Sequence, residues 1–151
     1  MQKGILGTSV VVQIGFVVHD IEAAAKDFAD MLGLDAPRAN LTAPLEEAQT
    51  VYRGAPSEAR AKLAFLNVGP NVTIELIEPD HEPSTWREEL DARGEGVHHI
   101  AFQIKGMKEK IAALEGEGLA LLQKGEYAGG RYAYVDARSK LKTIIELLEN
   151  D

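Results

Sequence analysis

The feature that most constrains this chain is an internal repeat. VVQIGFVVHDIEAAAKDFADMLGL at 11–34 and VHHIAFQIKGMKEKIAALEGEGL at 97–119 follow one plan. Each opens on an alternating strand, passes into apolar residues at helical spacing, and ends near Gly-Leu. Strand-like runs then follow each helix. In the first half they are TVYRG (50–54), AKLAFLNV (61–68) and VTIELIE (72–78); in the second, LALLQ (119–123), RYAYVD (131–136) and KTIIELLE (142–149). Both halves therefore read β-α-β-β-β, and the chain is expected to be an α+β protein built from two tandem βαβββ modules. With 151 residues it is long enough for one domain with a sizeable core. Module one is expected over about 11–80, a linker helix over about 83–94 and module two over about 97–150.

Local signals support these elements. Asp20 suits the N-cap of the first helix, whose apolar stripe is Ile21, Ala24, Ala25, Phe28, Met31 and Leu32. In the second helix Met107, Ile111 and Leu114 recur on one face. In the linker EPSTWREELDARGEG, Thr85 and Glu88 have capping-box spacing, Trp86 reads as packing, and Gly94 and Gly96 supply the exit. Gly69-Pro70-Asn71 and Ala128-Gly129-Gly130 read as turns.

Composition narrows the function classes. The formal net charge of −8 argues against a nucleic-acid partner, which would want a basic surface. No apolar stretch is long enough to span a membrane and no export signal is visible, so a cytoplasmic protein with no membrane partner is expected. There is no cysteine, which excludes disulfides and a thiol nucleophile and leaves only nitrogen and oxygen ligands for a metal. The dinucleotide fingerprint G-x-G-x-x-G between strand and helix is absent, so no nucleotide-type cofactor site is expected.

Strand parity then picks out four residues. Val12, Ile14, Phe16 and Val18 share one face of the first strand, and Gln13, Gly15 and Val17 the other. Ile100, Phe102 and Ile104 do the same opposite His99, Ala101 and Gln103. The word IELIEP at 74–79 is nearly repeated as IELLEN at 145–150, with Glu75 and Glu146 in the same slot, off the apolar face. Any one of these is commonplace, since a lone Glu in an alternating strand usually meets solvent. Their equivalent slots in two repeats point to one cavity under a pseudo-twofold. A set of Gln13, Glu75, His99 and Glu146 is oxygen-rich with one imidazole. It suits a divalent ion such as zinc, manganese, cobalt or nickel, and the donors do not choose among them.

The paired modules and these motifs resemble the vicinal oxygen chelate superfamily, from about Val11 to Glu149. The resemblance implies a cupped mixed sheet holding a divalent metal. Within the superfamily, IELIEP, GEGVHHIAF (94–102) and IIELLE are similar to methylmalonyl-CoA epimerases, and the ligands carried over are again Gln13, Glu75, His99 and Glu146. Epimerases usually carry His at the place of Gln13 and commonly Gln at that of Glu75. Gln-Glu-His-Glu is instead the set of zinc-type glyoxalase I, whose glutathione contacts are missing from QIGFVV and at Pro79. SEARAKLAFL (57–66) matches the epimerase stretch in which an acidic residue opens a strand and shuttles protons, which implies a catalytic role for Glu58 beside Glu146; Arg60 and Lys62 would share its face and hold a substrate carboxylate. The expected function is a metal-dependent epimerase or isomerase removing a proton alpha to a carbonyl. The alternatives are a glyoxalase I-like lyase and a metal-free small-molecule-binding member of the fold. The expected partners are a small-molecule substrate (an acyl-CoA thioester, a hemithioacetal or a keto compound) and a second copy in a homodimer.

Overall fold

The structure is a computed structural model and describes residues 4–151. Its elements run β1 (Val11–Val17), α1 (Ile21–Leu32), β2 (Asn40–Leu41), α2 (Leu45–Ala48), β3 (Val51–Tyr52), β4 (Ala55–Pro56), β5 (Ala61–Asn67), β6 (Thr73–Pro79), α3 (Thr85–Arg93), β7 (Gly96–Gln103), α4 (Met107–Gly116), β8 (Leu121–Tyr127), β9 (Gly130–Asp136), α5 (Arg138–Leu141) and β10 (Ile144–Asn150). The strands form one mixed sheet in the order β2-β5-β6-β1-β7-β10-β9-β8-β3-β4. The repeat is legible in that order. β1 lies parallel to β6 and β7 parallel to β10, and the two halves meet where β1 runs antiparallel to β7.

Each helix covers the apolar face of its own half. Phe16, Val18, Ile74 and Leu76 pack with Ile21, Ala25 and Ala29 of α1, while Phe102, Ile104, Ile145 and Leu147 pack with Met107 and Leu114 of α4. The opposite face of the curled sheet is closed at one end by α3, whose Trp86 and Leu90 sit among Val17, Ile77, Tyr134 and Ile144. Trp86 Nε1 donates to the Tyr134 hydroxyl at 3.0 Å, so this indole is a packing residue with its one polar atom satisfied.

Four local expectations are corrected. The stripe of α1 ends at Ala29: Met31 is 85% exposed and Leu32 is exposed too, both in the last turn before the left-handed Gly33, and the helix buries only Ile21, Ala25 and Ala29. The TVYRG run forms no strand of its own half. Val51 and Tyr52 pair with Lys124 and Gln123 of β8, so the β3–β4 hairpin extends the second half, and the short β2 takes the place beside β5. Arg53 and Gly54, both at positive φ, make that hairpin's two-residue turn, and Tyr52 and Arg53 bond to Glu88 of α3. The N-cap of α3 is Ser84, whose hydroxyl accepts from the Arg87 amide, which leaves the Thr85 hydroxyl free for another partner. Finally, β5 opens at Ala61, where the run at 61–68 begins, so Glu58 does not open the strand but lies in the segment before it.

Candidate metal and proton-transfer site

Residues facing the inside of the cup form a chequer of polar and small side chains across the four central strands. Along one row Glu75 of β6 stands beside Gly15 of β1, and Gly15 faces His99 of β7. Along the next, Gln13 of β1 faces Ala101 of β7, and Ala101 stands beside Glu146 of β10. The small residues make the room that the polar ones use. A Cβ on Gly15 would fall 2.1 Å from His99 Cε1, so the imidazole lies directly over the glycine backbone.

The four tips converge. His99 Nε2 is 2.9 Å from Gln13 Oε1, 3.2 Å from Glu146 Oε1 and 3.6 Å from Glu75 Oε1. One ligand atom from each of Glu75, His99 and Glu146 fits within a 4.8 Å span. All three residues are buried, His99 completely. Glu75 Oε1 and Glu146 Oε1 have no hydrogen-bond partner among the described residues. Buried carboxylate oxygens without a donor are costly, and a divalent cation among them would satisfy both. The donor set fits such an ion: two carboxylates, one imidazole and one amide oxygen.

Electrostatics agrees with that need for a cation. Burial pushes the Glu146 carboxyl up to about 8, with the Tyr134 hydroxyl working the other way. Burial first, and then the charge of Glu146, pushes Glu75 well above the carboxylate range. Burial holds His99 down at about 3, so its imidazole is neutral at neutral pH and carries one ring lone pair of the kind a metal takes. Two carboxylates that cannot both ionise beside a neutral imidazole share protons until another positive charge arrives.

The parity expectation for Gln13, Glu75, His99 and Glu146 thus matches the placement of all four. His98 is different. Gly15 pairs with His99 but Phe16 pairs with Val97, so His98 is the extra residue of a β-bulge. Strict alternation would turn His98 away from the cup. The bulge instead lets its ring meet that of His99 edge to face, and that of Tyr134 likewise. The pair His98-His99 was the only signal of this in the sequence.

Glu58 is placed elsewhere. It is exposed, while its neighbours Ser57 and Ala59 and the cup residue Ala61 are buried, so the alternation turns Glu58 outward. Arg60 donates through Nε to the Thr42 carbonyl, and Lys62 pairs at 3.5 Å with Glu78, which accepts from the first amide of α1. These two cations belong to the helix side of the sheet and do not form the expected carboxylate clamp. No helix among the described residues is long and apolar enough to cross a membrane.

Fold and site define a member of the vicinal oxygen chelate class, and comparison with known proteins agrees. The sequence profile of the Glyoxalase/Bleomycin resistance protein/Dioxygenase superfamily matches residues 12–135, and the chain belongs to that superfamily. It is 27% identical over 139 residues to the uncharacterized protein YqjC of Bacillus subtilis (strain 168), covering 90% of this chain and 89% of that one. It is 24% identical over 140 residues to a 2-epi-5-epi-valiolone epimerase of Actinomyces sp, covering 87% and 75%. Among solved structures, methylmalonyl-CoA epimerase from Mycobacterium tuberculosis superposes with a TM-score of 0.65 at 19% identity, over 100% of this chain and 93% of that one. A methylmalonyl-CoA epimerase in complex with methylmalonyl-CoA and NH4+ gives 0.63 at 21% identity, over 93% of each. These structural likenesses establish the curled mixed sheet of the α+β fold.

Proposed function

We propose that the cup holds one divalent metal ion through Gln13, Glu75, His99 and Glu146, and that the protein is an epimerase or isomerase acting on a carbon acid beside a carbonyl. The observation that carries this reading is the pair of buried, partnerless carboxylate oxygens facing one neutral imidazole nitrogen. A bound divalent ion supplies the positive charge that makes an enolate accessible near neutral pH.

The chain's own residues supply the rest. Glu146, a buried carboxylate at the centre of the cup, takes the proton alpha to the carbonyl; the C–H pair becomes the carbon–carbon π bond and the carbonyl π pair moves to oxygen. Return of a proton to the other face inverts the centre. Glu75 is the second carrier in this reading, because it stands across the β1–β7 pair from Glu146 and is likewise buried in the cup. Glu58, turned outward, carries no step. Gln13 fixes the site without titrating, and Tyr134, beside Glu146 on the neighbouring strand, helps to exclude water.

An acyl-CoA thioester or related carbonyl compound is the favoured substrate class, supported by the likeness to epimerases named above. A glyoxalase I-like reaction is the second reading, favoured by the Gln-Glu-His-Glu donor set. The test is metal analysis of the purified protein, then deuterium incorporation from heavy water into CoA thioesters, hemithioacetals and keto acids. Metal-dependent exchange in a thioester or keto acid supports the epimerase reading, and turnover of the hemithioacetal alone moves the assignment to glyoxalase. Ligand binding with no metal and no exchange would make the protein a binding member of the fold.

A further inference from the structure

The metal reading leaves His98 and Thr85 without a role, yet both are buried and joined to the site. His98 Nδ1 lies 2.9 Å from His99 Nδ1, and His98 Nε2 lies 3.1 Å from Thr85 Oγ1. Thr85 is fixed in turn: its amide donates to Gln123 Oε1 at 2.8 Å, and Gln123 Nε2 donates to the Tyr132 hydroxyl at 3.0 Å. The line from α3 to His99 is therefore continuous, and it exists only because the bulge at His98 and the Ser84 cap free these two side chains for it.

Two ring nitrogens 2.9 Å apart share one hydrogen, so one ring donates and the other accepts. With His99 Nε2–H facing Gln13 Oε1, His99 Nδ1 must accept from His98 Nδ1–H, and His98 Nε2 accepts from the Thr85 hydroxyl. A nitrogen that binds a cation carries no hydrogen. Once His99 Nε2 turns its lone pair to an ion, its hydrogen must sit on Nδ1 and be donated to His98; His98 then donates through Nε2 to Thr85 Oγ1, which as a hydroxyl serves equally as donor or acceptor.

We infer that His98, backed by Thr85, is the positioning residue of His99: it accepts the Nδ1 hydrogen and so holds the imidazole in the tautomer and ring plane that present Nε2 to the metal. The inference rests on the metal reading of the cup. An outer partner of this kind raises ligand basicity, and its loss typically weakens metal binding by about 10–100-fold.

The test uses the full chain, Zn2+ as probe, and two readouts besides activity: zinc affinity by competition with a chromogenic chelator, and histidine tautomers by long-range 15N–1H correlation. The metal-free parent is expected to show His99 protonated at Nε2. The zinc-loaded parent is expected to show His99 protonated at Nδ1 and His98 at Nε2. His98→Leu is expected to lose about 10–100-fold in zinc affinity. His98→Asn puts an amide oxygen close to the place of Nδ1 and is expected to recover most of that loss, which a purely space-filling role would not allow. Thr85→Val is expected to weaken binding alone and to add nothing to His98→Leu, since its hydroxyl acts through His98. A folded His98→Leu that binds zinc as tightly as the parent overturns the inference. So does a zinc-loaded His99 still protonated at Nε2. Should His98→Leu not fold, an unchanged affinity and unchanged tautomers in Thr85→Val overturn it equally. A parent that binds no zinc defeats the metal reading and this inference with it, whereas a zinc-binding parent with indifferent variants defeats this inference alone.

Discussion

Gly15 and His99 face each other across β1 and β7, and the imidazole occupies the space in which a side chain at residue 15 would stand. The glycine is thus a component of the candidate site as much as the histidine. Gly15→Ala forces the ring or the strand to move, and overpacking of this kind typically costs about 1–3 kcal/mol. Urea unfolding should show that loss, and the ion affinity should fall with it because the displaced ring no longer faces Glu75 and Glu146. An alanine variant as stable and as tight as the parent would mean that the ring has freedom which this packing denies it.

The stability of the metal-free protein should fall as pH rises from 6.5 to 8. Glu146 has its folded value at about 8 against an ordinary 4.5, so its contribution is fully present below 4.5 and is lost as pH rises through 8. Glu75 is raised too and acts in the same sense. His99, at about 3 against 6.5, runs oppositely: its contribution is fully present above 6.5 and is lost as pH falls through 3. His98, lowered by burial and then by His99, runs with it. The opposed effects overlap between 4.5 and 6.5, and the carboxylates act alone above that. In a chelator, denaturation midpoints should drop across pH 6.5–8, with a slope on the order of 1 kcal/mol per pH unit. Saturation with zinc or cobalt should abolish the drop, because the cation stabilises the ionised pair. A flat profile in chelator would show that water reaches the carboxylates.

The two carboxylates are expected to separate in function. Glu146→Gln keeps an oxygen ligand but no base, so it should retain weakened ion binding while proton transfer falls by about 10²–10⁴-fold. Glu75→Gln should leave one-sided exchange with solvent largely in place and suppress inversion. Deuterium incorporation and chiral analysis of the same samples distinguish the two. Equal, small losses from both changes would make the pair structural.

Glu58→Ala should leave exchange and inversion within a few-fold of the parent. Its exposure and its place before β5 turn it away from the cup. Loss of inversion with exchange retained would restore it as the second base and remove Glu75 from that role.

A great deal of this protein was determined by sequence alone, because the alternation of a strand is local. The repeat and the parity of Gln13, Glu75, His99 and Glu146 follow from covalent geometry: in an extended chain successive side chains point to opposite faces. The repeated word IEL thereby puts Glu75 and Glu146 opposite the helix-covered face, whichever strands they pair with. What parity could not decide is which strands meet, where the register slips and how the end of the cup is closed. The β3–β4 hairpin joined β8 because its few backbone groups found partners on an edge strand of the other repeat, a contact remote in sequence. The bulge that sets His98 beside His99 depends on the register of β1 against β7, a pairing between strands remote in sequence. Glu58 had the right neighbours in sequence, yet the strand opened at Ala61 and the buried face went to Ser57 and Ala59. The protonation of the site was decided last and only by packing, since the shifts of Glu75, Glu146 and His99 all come first from burial, a property of the assembled sheet and not of any stretch within it.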